Sequence, residues 1–268
     1  MNIRLGLFDS GVGGFTVLKR VIERHGDLEC VYLGDLARMP YGAKSISEIR
    51  TIAFEVIDWL NEQDLSAVLV ACNTTNSLAL DIVKQHSKVP VFDLIGSSCD
   101  LIEDESRIGV LATPSTVSSK SYSRHITDID SSISVTEEEC PEFVQLIESG
   151  NLNSCELRQV AQKHIEELLK ADVEAIILGC SHYPLILPLL TDLLPSHIRL
   201  IDPAVALAKK LDQFSEHRKS SSVLPKFKGE INFCVTSEPD LFASKAIKFL
   251  GFKPEIESIS LRYMTKVF

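Results

Sequence analysis

The stretch RLGLFDS at residues 4–10 is an apolar run that ends in an acid and a hydroxyl, and RIGVLAT at residues 107–113 repeats its pattern. Two further pairs follow in the same order, at offsets of 108 and 109 residues against 103 for the first. Repeats much longer than ~50 residues usually reflect duplicated domains, so the sequence predicts two similar halves. The further pairs are VACN with LGCS, at 70–73 and 178–181, and VFD with LID, at 91–93 and 200–202.

The predicted fold class is α/β, with parallel sheets. Short apolar runs alternate with longer stretches of helical period, which is the pattern of βα units. Ser45 and Glu48 form a capping-box pattern ahead of an amphipathic stretch that reaches residue 60, which predicts a helix packed on a sheet. Strands are predicted at residues 5–8, 30–33, 67–71, 89–92, 108–111, 175–178, 199–201 and 231–235.

The last part of the chain predicts a discontinuous domain. Residues 213–229, which include Arg218, Lys219, three consecutive serines and Pro225, have the composition of a surface connection. One more strand and an amphipathic helix through Ala243, Ile247 and Leu250 follow, and we expect them to return to the first half. We therefore predict two similar α/β domains related by a pseudo-two-fold, with the active site in the cleft between them: residues 1–94 plus 207–268, and residues 95–206.

The composition excludes several classes of function. A formal net charge of −10 at pH 7 repels phosphate backbones and anionic membranes, so we expect no nucleic-acid or membrane partner. The first residues are too weakly basic and apolar for a signal peptide, and no apolar stretch approaches the length of a membrane span. Seven cysteines without a C-x-x-C spacing predict free thiols in a reducing cytoplasm and no metal site.

Two cysteines, Cys72 and Cys180, occupy matched positions in the repeat, each directly after a predicted strand. Ligands of parallel α/β sheets bind at the carboxyl ends of strands, so the two thiols are expected to meet across a shared cleft. Racemisation at a carbon needs one group that removes a proton and another that returns it from the opposite face. The alternative is that each cysteine is a buried packing residue, which is common in apolar strands.

The neighbouring polar residues suit this chemistry. His182 could lower the pKa of the Cys180 thiol, and Asp9 could relay a proton near Cys72. Asn73, Thr74 and Ser181 could hold a substrate carboxylate as negative charge develops. His182 could instead cap a helix that begins near Pro184. Residues 9–14 fit neither of the common phosphate-binding loops, so we interpret them as a tight strand-to-helix turn with exposed amides.

Four motifs together resemble the glutamate racemase family of the aspartate/glutamate racemase superfamily. They are FDSGVGG at 8–14, GDLARMPYG at 34–42, ACNT at 71–74 and LGCSHYP at 178–184. A fifth segment, CPEFVQLIESG at 140–150, is similar to the middle of that family's chains. Ser181 stands where threonine is usual, and Thr75 and Asn76 stand where smaller residues are more typical.

The resemblance implies a cofactor-independent enzyme that interconverts L- and D-glutamate, supplies D-glutamate for peptidoglycan, and forms a homodimer in a bacterial cytoplasm. It implies that Cys72 takes the proton from D-glutamate and that Cys180 takes it from L-glutamate. Asp9 would assist the first thiol and His182 the second, with Glu148 positioning the thiol–histidine side. The substrate would be lined by Asp9, Ser10, Tyr41, Gly42, Asn73, Thr74, Ser181 and His182.

Three alternative functions remain at this point. An aspartate or other acidic-amino-acid racemase of the same superfamily would use the same two thiols and differ in pocket depth. A non-catalytic two-lobed amino-acid binding protein would need the cleft but not reactive cysteines. A redox protein would join Cys72 and Cys180 in a reversible disulfide, which requires Cα atoms about 4.4 to 6.8 Å apart.

Overall fold

A computed structural model describes residues 3–26, 28–215 and 229–261. Residues 216–228, and with them most of the predicted surface connection, lie outside the described residues. The strands are β1 Arg4–Asp9, β2 Glu29–Gly34, β3 Ala67–Val70, β4 Val91–Asp93, β5 Arg107–Ala112, β6 Ser134–Glu139, β7 Ala175–Gly179, β8 Arg199–Ile201, β9 Ile231–Val235 and β10 Ile256–Ser258.

Helices alternate with these strands, as the βα pattern predicts. They are α1 Gly14–Arg24, α2 Ile46–Leu60, α3 Asn73–His86, α4 Leu94–Cys99, α5 Pro114–Ser119, α6 Ser121–Ile129, α7 Phe143–Glu148, α8 Cys155–Lys170, α9 Leu187–Leu193, α10 Pro203–Lys210, α11 Asp212–Ser215 and α12 Pro239–Leu250. The capping box of α2 is formed: the Ser45 hydroxyl accepts from the Glu48 N–H, and the Glu48 carboxylate accepts from the Ser45 N–H.

Two parallel sheets form the fold, and the predicted α/β class is confirmed. The first has the strand order β10-β9-β2-β1-β3-β4, and the second has the order β6-β5-β7-β8. Each sheet has hydrophobic clusters on both faces, which is why its central strands are almost continuously apolar. In β1, for example, Leu7 belongs to one cluster and Phe8 to the cluster on the other face.

The internal repeat corresponds to equivalent positions in the two sheets. The order β2-β1-β3-β4 of the first sheet matches β6-β5-β7-β8 of the second, so each quoted sequence pair occupies one equivalent strand position. β6 and β10 are absent from the strand predictions. Both are edge strands that contain charged residues and no fully buried residue, so they lack the apolar pattern of a buried strand. Charged edge strands also discourage edge-to-edge association.

The C-terminal segment returns to the first sheet. β9 pairs with β2 in parallel register, with Tyr32 opposite Phe233. Phe242 of α12 then packs on this sheet, with its ring centroid 4.8 Å from that of Phe15 and 5.6 Å from that of Tyr32. These contacts join β9 and α12 to the core that β1 and α1 help to build.

We propose that the domains divide near residues 94 and 206. Leu94 packs in a cluster of the first sheet, whereas Ile95 packs in one of the second. Ile201 still belongs to the second sheet, and Ala204 and Leu207 belong to the first. The second crossing therefore falls between residues 201 and 204, a few residues before the predicted boundary at 206. No helix in the described part of the chain is both long enough and apolar enough to span a membrane.

Candidate active site

A cavity of about 470 Å³ lies where the carboxyl ends of the two sheets face each other. Both matched thiols line it, so the structure brings Cys72 and Cys180 to one cavity. All seven cysteines are free thiols. The other predicted site residues on the cavity wall are Ser10, Tyr41, Gly42, Asn73, Thr74, Glu148, Ser181 and His182.

Cys72 lies between the end of β3 and the first turn of α3, and it is 4% exposed. Burial, together with the nearby carboxylate of Asp9, raises the pKa of the Cys72 thiol to about 12, although hydrogen bonds from Thr75 and Ser10 oppose the shift. At neutral pH the sulfur of Cys72 therefore carries its proton. It is equipped to give a proton to a carbanion in front of it.

Cys180 has a different environment at the equivalent position after β7. Its Sγ lies 3.8 Å from Nδ1 of His182. Burial by itself would lower the pKa of His182, but hydrogen bonds with Cys180 and Glu148 raise it to about 10. This side of the cavity therefore places a cationic histidine directly beside a thiol.

Glu148, at the end of α7, is held between two cationic groups. One oxygen, Oε1, lies 2.9 Å from Nε2 of His182, and the other, Oε2, accepts a hydrogen bond of 2.7 Å from Nζ of Lys245. Burial raises the pKa of the Glu148 carboxyl, but the two partners outweigh burial and bring it to about 2. Glu148 is therefore an ionised partner of His182. Its ion pair with Lys245 is absent from the sequence prediction.

The side chain of His182 does not cap the 3₁₀ turn Tyr183–Ile186 that follows it. Its two ring nitrogens are used by the thiol and the carboxylate instead. The structure therefore favours the interpretation in which His182 belongs to the site over the one in which it caps a helix.

Asp9 does not reach the cavity wall, although it ends β1 beside Ser10, which does. Its carboxylate is fully buried and accepts hydrogen bonds from the Gly14 N–H and the Ser181 hydroxyl, at 3.1 and 3.3 Å. Burial raises the pKa of Asp9, while the charge of His182 and the hydrogen bonds oppose that shift. Asp9 thus lies behind the cavity, between the loops that carry the two thiols.

The turn after β1 fits tightly against the second half of the molecule. A Cβ atom on Gly13 would lie 2.6 Å from Nδ1 of His182 and would also overlap the Ser181 hydroxyl. The Thr16 hydroxyl donates a hydrogen bond of 2.8 Å to the Ser181 carbonyl oxygen in the same region. The predicted strand-to-helix turn therefore needs glycine because another loop packs directly against its backbone.

Substrate-facing polar groups are fixed by partners from both halves. The buried Tyr122 of α6 donates a hydrogen bond of 2.7 Å to Oδ1 of Asn73, which leaves the amide N–H₂ of Asn73 as the donor end for a ligand. The carbonyl oxygen of Gly42 accepts from the Ser115 hydroxyl across the cleft. Tyr41 is held by a hydrogen bond from its hydroxyl to Asp35, at 2.5 Å.

Further lining residues were not in the sequence prediction. Thr113 is the one that the repeat could have identified, because it ends RIGVLAT as Ser10 ends RLGLFDS, and both line the cavity. Pro114, Pro141, Val144 and Gln145 carry no such signal and add a largely apolar wall.

The described wall of the cavity carries no lysine or arginine, and its candidate anion-binding groups are His182, which is paired with Glu148, and a helix N-terminus. His182 supplies one charge, and α3, fourteen residues long, begins at the cavity with its backbone N–H groups. Free N–H groups and the dipole at a helix N-terminus favour a carboxylate. Within the described ranges, no group of three or more His, Cys, Asp or Glu side chains is arranged to hold a metal ion.

Comparison with known proteins places this site in a family. The profile of the family described as Asp/Glu/Hydantoin racemase matches residues 10–211. The chain is 50% identical over 254 residues to a glutamate racemase of Synechococcus sp. (strain CC9605), an alignment that covers 94% of this chain and 96% of the relative. It is 48% identical over 260 residues to a glutamate racemase of Prochlorococcus marinus (strain NATL2A), covering 97% and 98%.

A solved structure agrees with these sequence relatives. The crystal structure of glutamate racemase from Francisella tularensis in complex with D-glutamate superposes with a TM-score of 0.87 at 33% identity, covering 97% of this chain and 98% of that one. The likeness therefore includes both sheets and the cleft between them. On sequence and structure together, the chain belongs to the glutamate racemase family within the Asp/Glu/Hydantoin racemases.

Proposed function

We propose that this enzyme interconverts L- and D-glutamate by proton transfer between two thiols, Cys180 and Cys72. One observation carries the proposal: two thiols from equivalent loops of a duplicated fold line a single cavity, in opposite electrostatic environments. The chain is an amino-acid racemase by family, and the two-thiol mechanism is the finer step that needs its own test.

The reaction from L-glutamate begins with Cys180 as a thiolate paired with protonated His182. The thiolate removes the α-proton, and the electron pair of the broken C–H bond becomes the carbanion, with charge spread onto the α-carboxylate. The Cys72 thiol then gives its proton to the opposite face, which forms D-glutamate and leaves Cys72 as a thiolate. The reaction from D-glutamate uses the same two thiols in reverse.

The α-proton of an amino acid is far less acidic than a thiol, so the site must stabilise the carbanion. Fixed hydrogen-bond donors at the developing charge are usually the largest such contribution. The donors at this wall are the Asn73 amide, held by Tyr122, the hydroxyl of Thr74, and the first N–H groups of α3.

Glutamate is the substrate best supported by the comparisons. Relatives at 50% and 48% identity bear the name glutamate racemase, and the Francisella structure holds D-glutamate. Incubation of the purified protein with each enantiomer of glutamate and of aspartate, followed by polarimetry, tests the assignment. Racemisation of aspartate without racemisation of glutamate would replace it.

Exchange of the α-hydrogen with solvent deuterium tests the mechanism. In D₂O the wild-type enzyme should form product that carries deuterium at the α-carbon. Cys72→Ala and Cys180→Ala should each abolish racemisation while glutamate still binds. Cys180→Ala should retain exchange only into D-glutamate, and Cys72→Ala only into L-glutamate, because each keeps one base. Unaltered turnover in either variant would eliminate the two-thiol mechanism.

The proposal includes no cofactor. A complete acid–base pair makes an electron sink such as pyridoxal phosphate unnecessary. Carbonyl-trapping reagents should leave the activity unchanged. Loss of activity that pyridoxal phosphate restores would contradict this part of the proposal.

The cellular role follows from the product. We expect D-glutamate to serve peptidoglycan synthesis in a bacterial cytoplasm, where seven free thiols persist in reduced form. Depletion of the protein should therefore make growth dependent on added D-glutamate. A homodimer is our expectation for the assembly, and light scattering coupled to gel filtration would measure it.

A further inference from the structure

We propose that Lys245 is a positioning residue for the second thiol, acting through Glu148 and His182. The inference rests on the proposed two-thiol function and extends it to a residue that lies outside the cavity wall. Lys245 comes from α12, in the segment that returns to the first sheet after residue 229.

The contacts form one continuous chain. Nζ of Lys245 donates to Oε2 of Glu148 at 2.7 Å, Oε1 of Glu148 lies 2.9 Å from Nε2 of His182, and Nδ1 of His182 lies 3.8 Å from Sγ of Cys180. Glu148 and His182 each use one polar atom for the neighbour on one side and a second polar atom for the neighbour on the other. The path of direct contacts from Lys245 to the sulfur therefore runs through Glu148 and His182.

The ion pair between Lys245 and Glu148 is largely shielded from solvent. The side chains of Lys245 and Glu148 are 18% and 15% exposed, and that of His182 is 6% exposed. Charge interactions are stronger in such partly buried positions than between exposed side chains. The titratable groups that face His182 are Cys180 and Glu148 from its own half and Asp9 from β1, and those that face Glu148 are His182 and Lys245.

The physical role follows from the shape of a carboxylate. One oxygen of Glu148 serves His182, and without a partner on the other oxygen the group is free to rotate away from the ring. The Lys245 ammonium fixes that second oxygen, so Glu148 stays aimed at Nε2 and His182 stays protonated with Nδ1 toward the thiol. Helix α12 of the first domain thereby positions Cys180 of the second domain.

Direction-dependent kinetics cannot test this role. L- and D-glutamate have equal free energies in an achiral solvent, so the equilibrium constant is one and kcat/KM must be equal in the two directions for every variant. The informative measurements are the pH dependence of kcat/KM and the titration of His182 itself.

The experiment compares Lys245→Met, Lys245→Gln and Lys245→Arg with the matched control Lys248→Met, one turn further along α12. Met removes the ion pair, Gln keeps a neutral donor, and Arg keeps the charge. We expect Lys245→Met to lower kcat/KM about tenfold in both directions. Loss of the ammonium charge alone would raise the pKa of His182, so a fall of about one unit is the signature of a displaced Glu148. Lys245→Gln should fall between Met and wild type, and Lys245→Arg and Lys248→Met should stay close to wild type.

The pKa of His182 is read by NMR of labelled histidine, with the resonance assigned by its loss in His182→Asn. This measurement needs no turnover, so it tests Lys245 even if wild-type protein fails to racemise glutamate, which would overturn the proposed function alone. Circular dichroism of each variant checks that it folds.

A double-mutant cycle with Glu148→Gln completes the test. If Lys245 acts through Glu148, Lys245→Met should cost almost nothing further in kcat/KM once Glu148 is already Gln. Equal costs in both backgrounds would show a merely structural role. An unchanged or raised pKa of His182 in Lys245→Met would show that Lys245 does not hold Glu148 against His182, and either result would overturn the inference.

Discussion

At the scale of single residues, the two thiols differ in what surrounds them rather than in what they are. Cys72 faces the carboxylate of Asp9 in a buried position, and Cys180 faces the imidazole of His182. A carboxylate disfavours a thiolate and an imidazolium favours one. The proposed mechanism uses this difference, with Cys72 as the proton donor and Cys180 as the proton acceptor in the reaction from L-glutamate.

The raised pKa of His182 predicts the upper pH limit of enzyme activity. The imidazolium exists below its pKa of about 10, so kcat/KM should fall as the pH rises through that value. The same shift stabilises the fold: the contribution is complete below about pH 6.5, the ordinary value for histidine, and is lost as the pH rises to about 10. Urea unfolding of wild type and His182→Asn across this range measures it. A stability difference that is constant with pH would contradict the assignment.

A second prediction for a single residue concerns Tyr122. Tyr122→Phe removes the hydrogen bond that fixes the Asn73 amide, so that amide can present its oxygen to the substrate carboxylate. We expect kcat/KM to fall about tenfold. The matched control is Tyr183→Phe, since Tyr183 is also fully buried but donates to the Cys140 carbonyl oxygen rather than to a side chain of the cavity wall. Equal losses in the two variants would argue against a role for Tyr122 in the site.

At the scale of elements, the turns after parallel strands carry the chemistry, and their packing decides the geometry. The turn after β1 lies against the loop that follows β7, and Asp9 and Thr16 from this region both hydrogen-bond to Ser181. The two halves therefore meet through loop backbones as well as through side chains. This close approach sets the separation between the two thiol-bearing loops.

Gly13→Ala tests the close approach. The added methyl group would overlap His182 and Ser181, so the loops must move apart. A displacement of about 1 Å can cost about a hundredfold in rate, and we expect kcat/KM to fall by that order while the protein still folds. In Gly11→Ala, the control, the methyl group would meet only the flexible thioether of Met39. A larger loss in Gly11→Ala than in Gly13→Ala would contradict the packing argument.

At the scale of the whole molecule, the first domain is assembled from the two ends of the chain. β9 and α12 close one side of its sheet, and Phe242 joins Phe15, Tyr32 and Phe233 in one aromatic cluster. The helix that contributes this core residue also carries Lys245 to Glu148 of the other domain. Stability of the first domain and geometry of the second thiol are thus linked through α12.

The substitution Phe242→Ala tests how much the packing of α12 contributes to the free energy of unfolding. Truncation of a fully buried phenylalanine should lower the free energy of unfolding by about 3–5 kcal/mol. The neighbouring Leu241 is 45% exposed, and Leu241→Ala should have a much smaller effect. Urea denaturation monitored by circular dichroism measures both. Similar values for the two variants would show that α12 does not depend on the cluster.

The sequence predicted the strands that are apolar and the residues that repeat. Residues 4–10 and 107–113 give equivalent central strands, and the matched cysteines lie on one cavity because the same local pattern ends each strand in the same way. The polar edge strand β6 lacked an apolar signal, although the offset of about 105 residues from β2 would have located it.

The amino-acid sequence by itself determined the α/β class, the duplication and the positions of the two thiols, since these depend on local hydrophobic period and on the ends of strands. Only the tertiary structure decided that Asp9 lies behind the cavity, that Tyr122 orients Asn73 and that Lys245 reaches Glu148. Such contacts join residues 49 and 97 positions apart in the chain. The local sequence pattern does not predict these contacts, because they arise from the way in which the two domains pack.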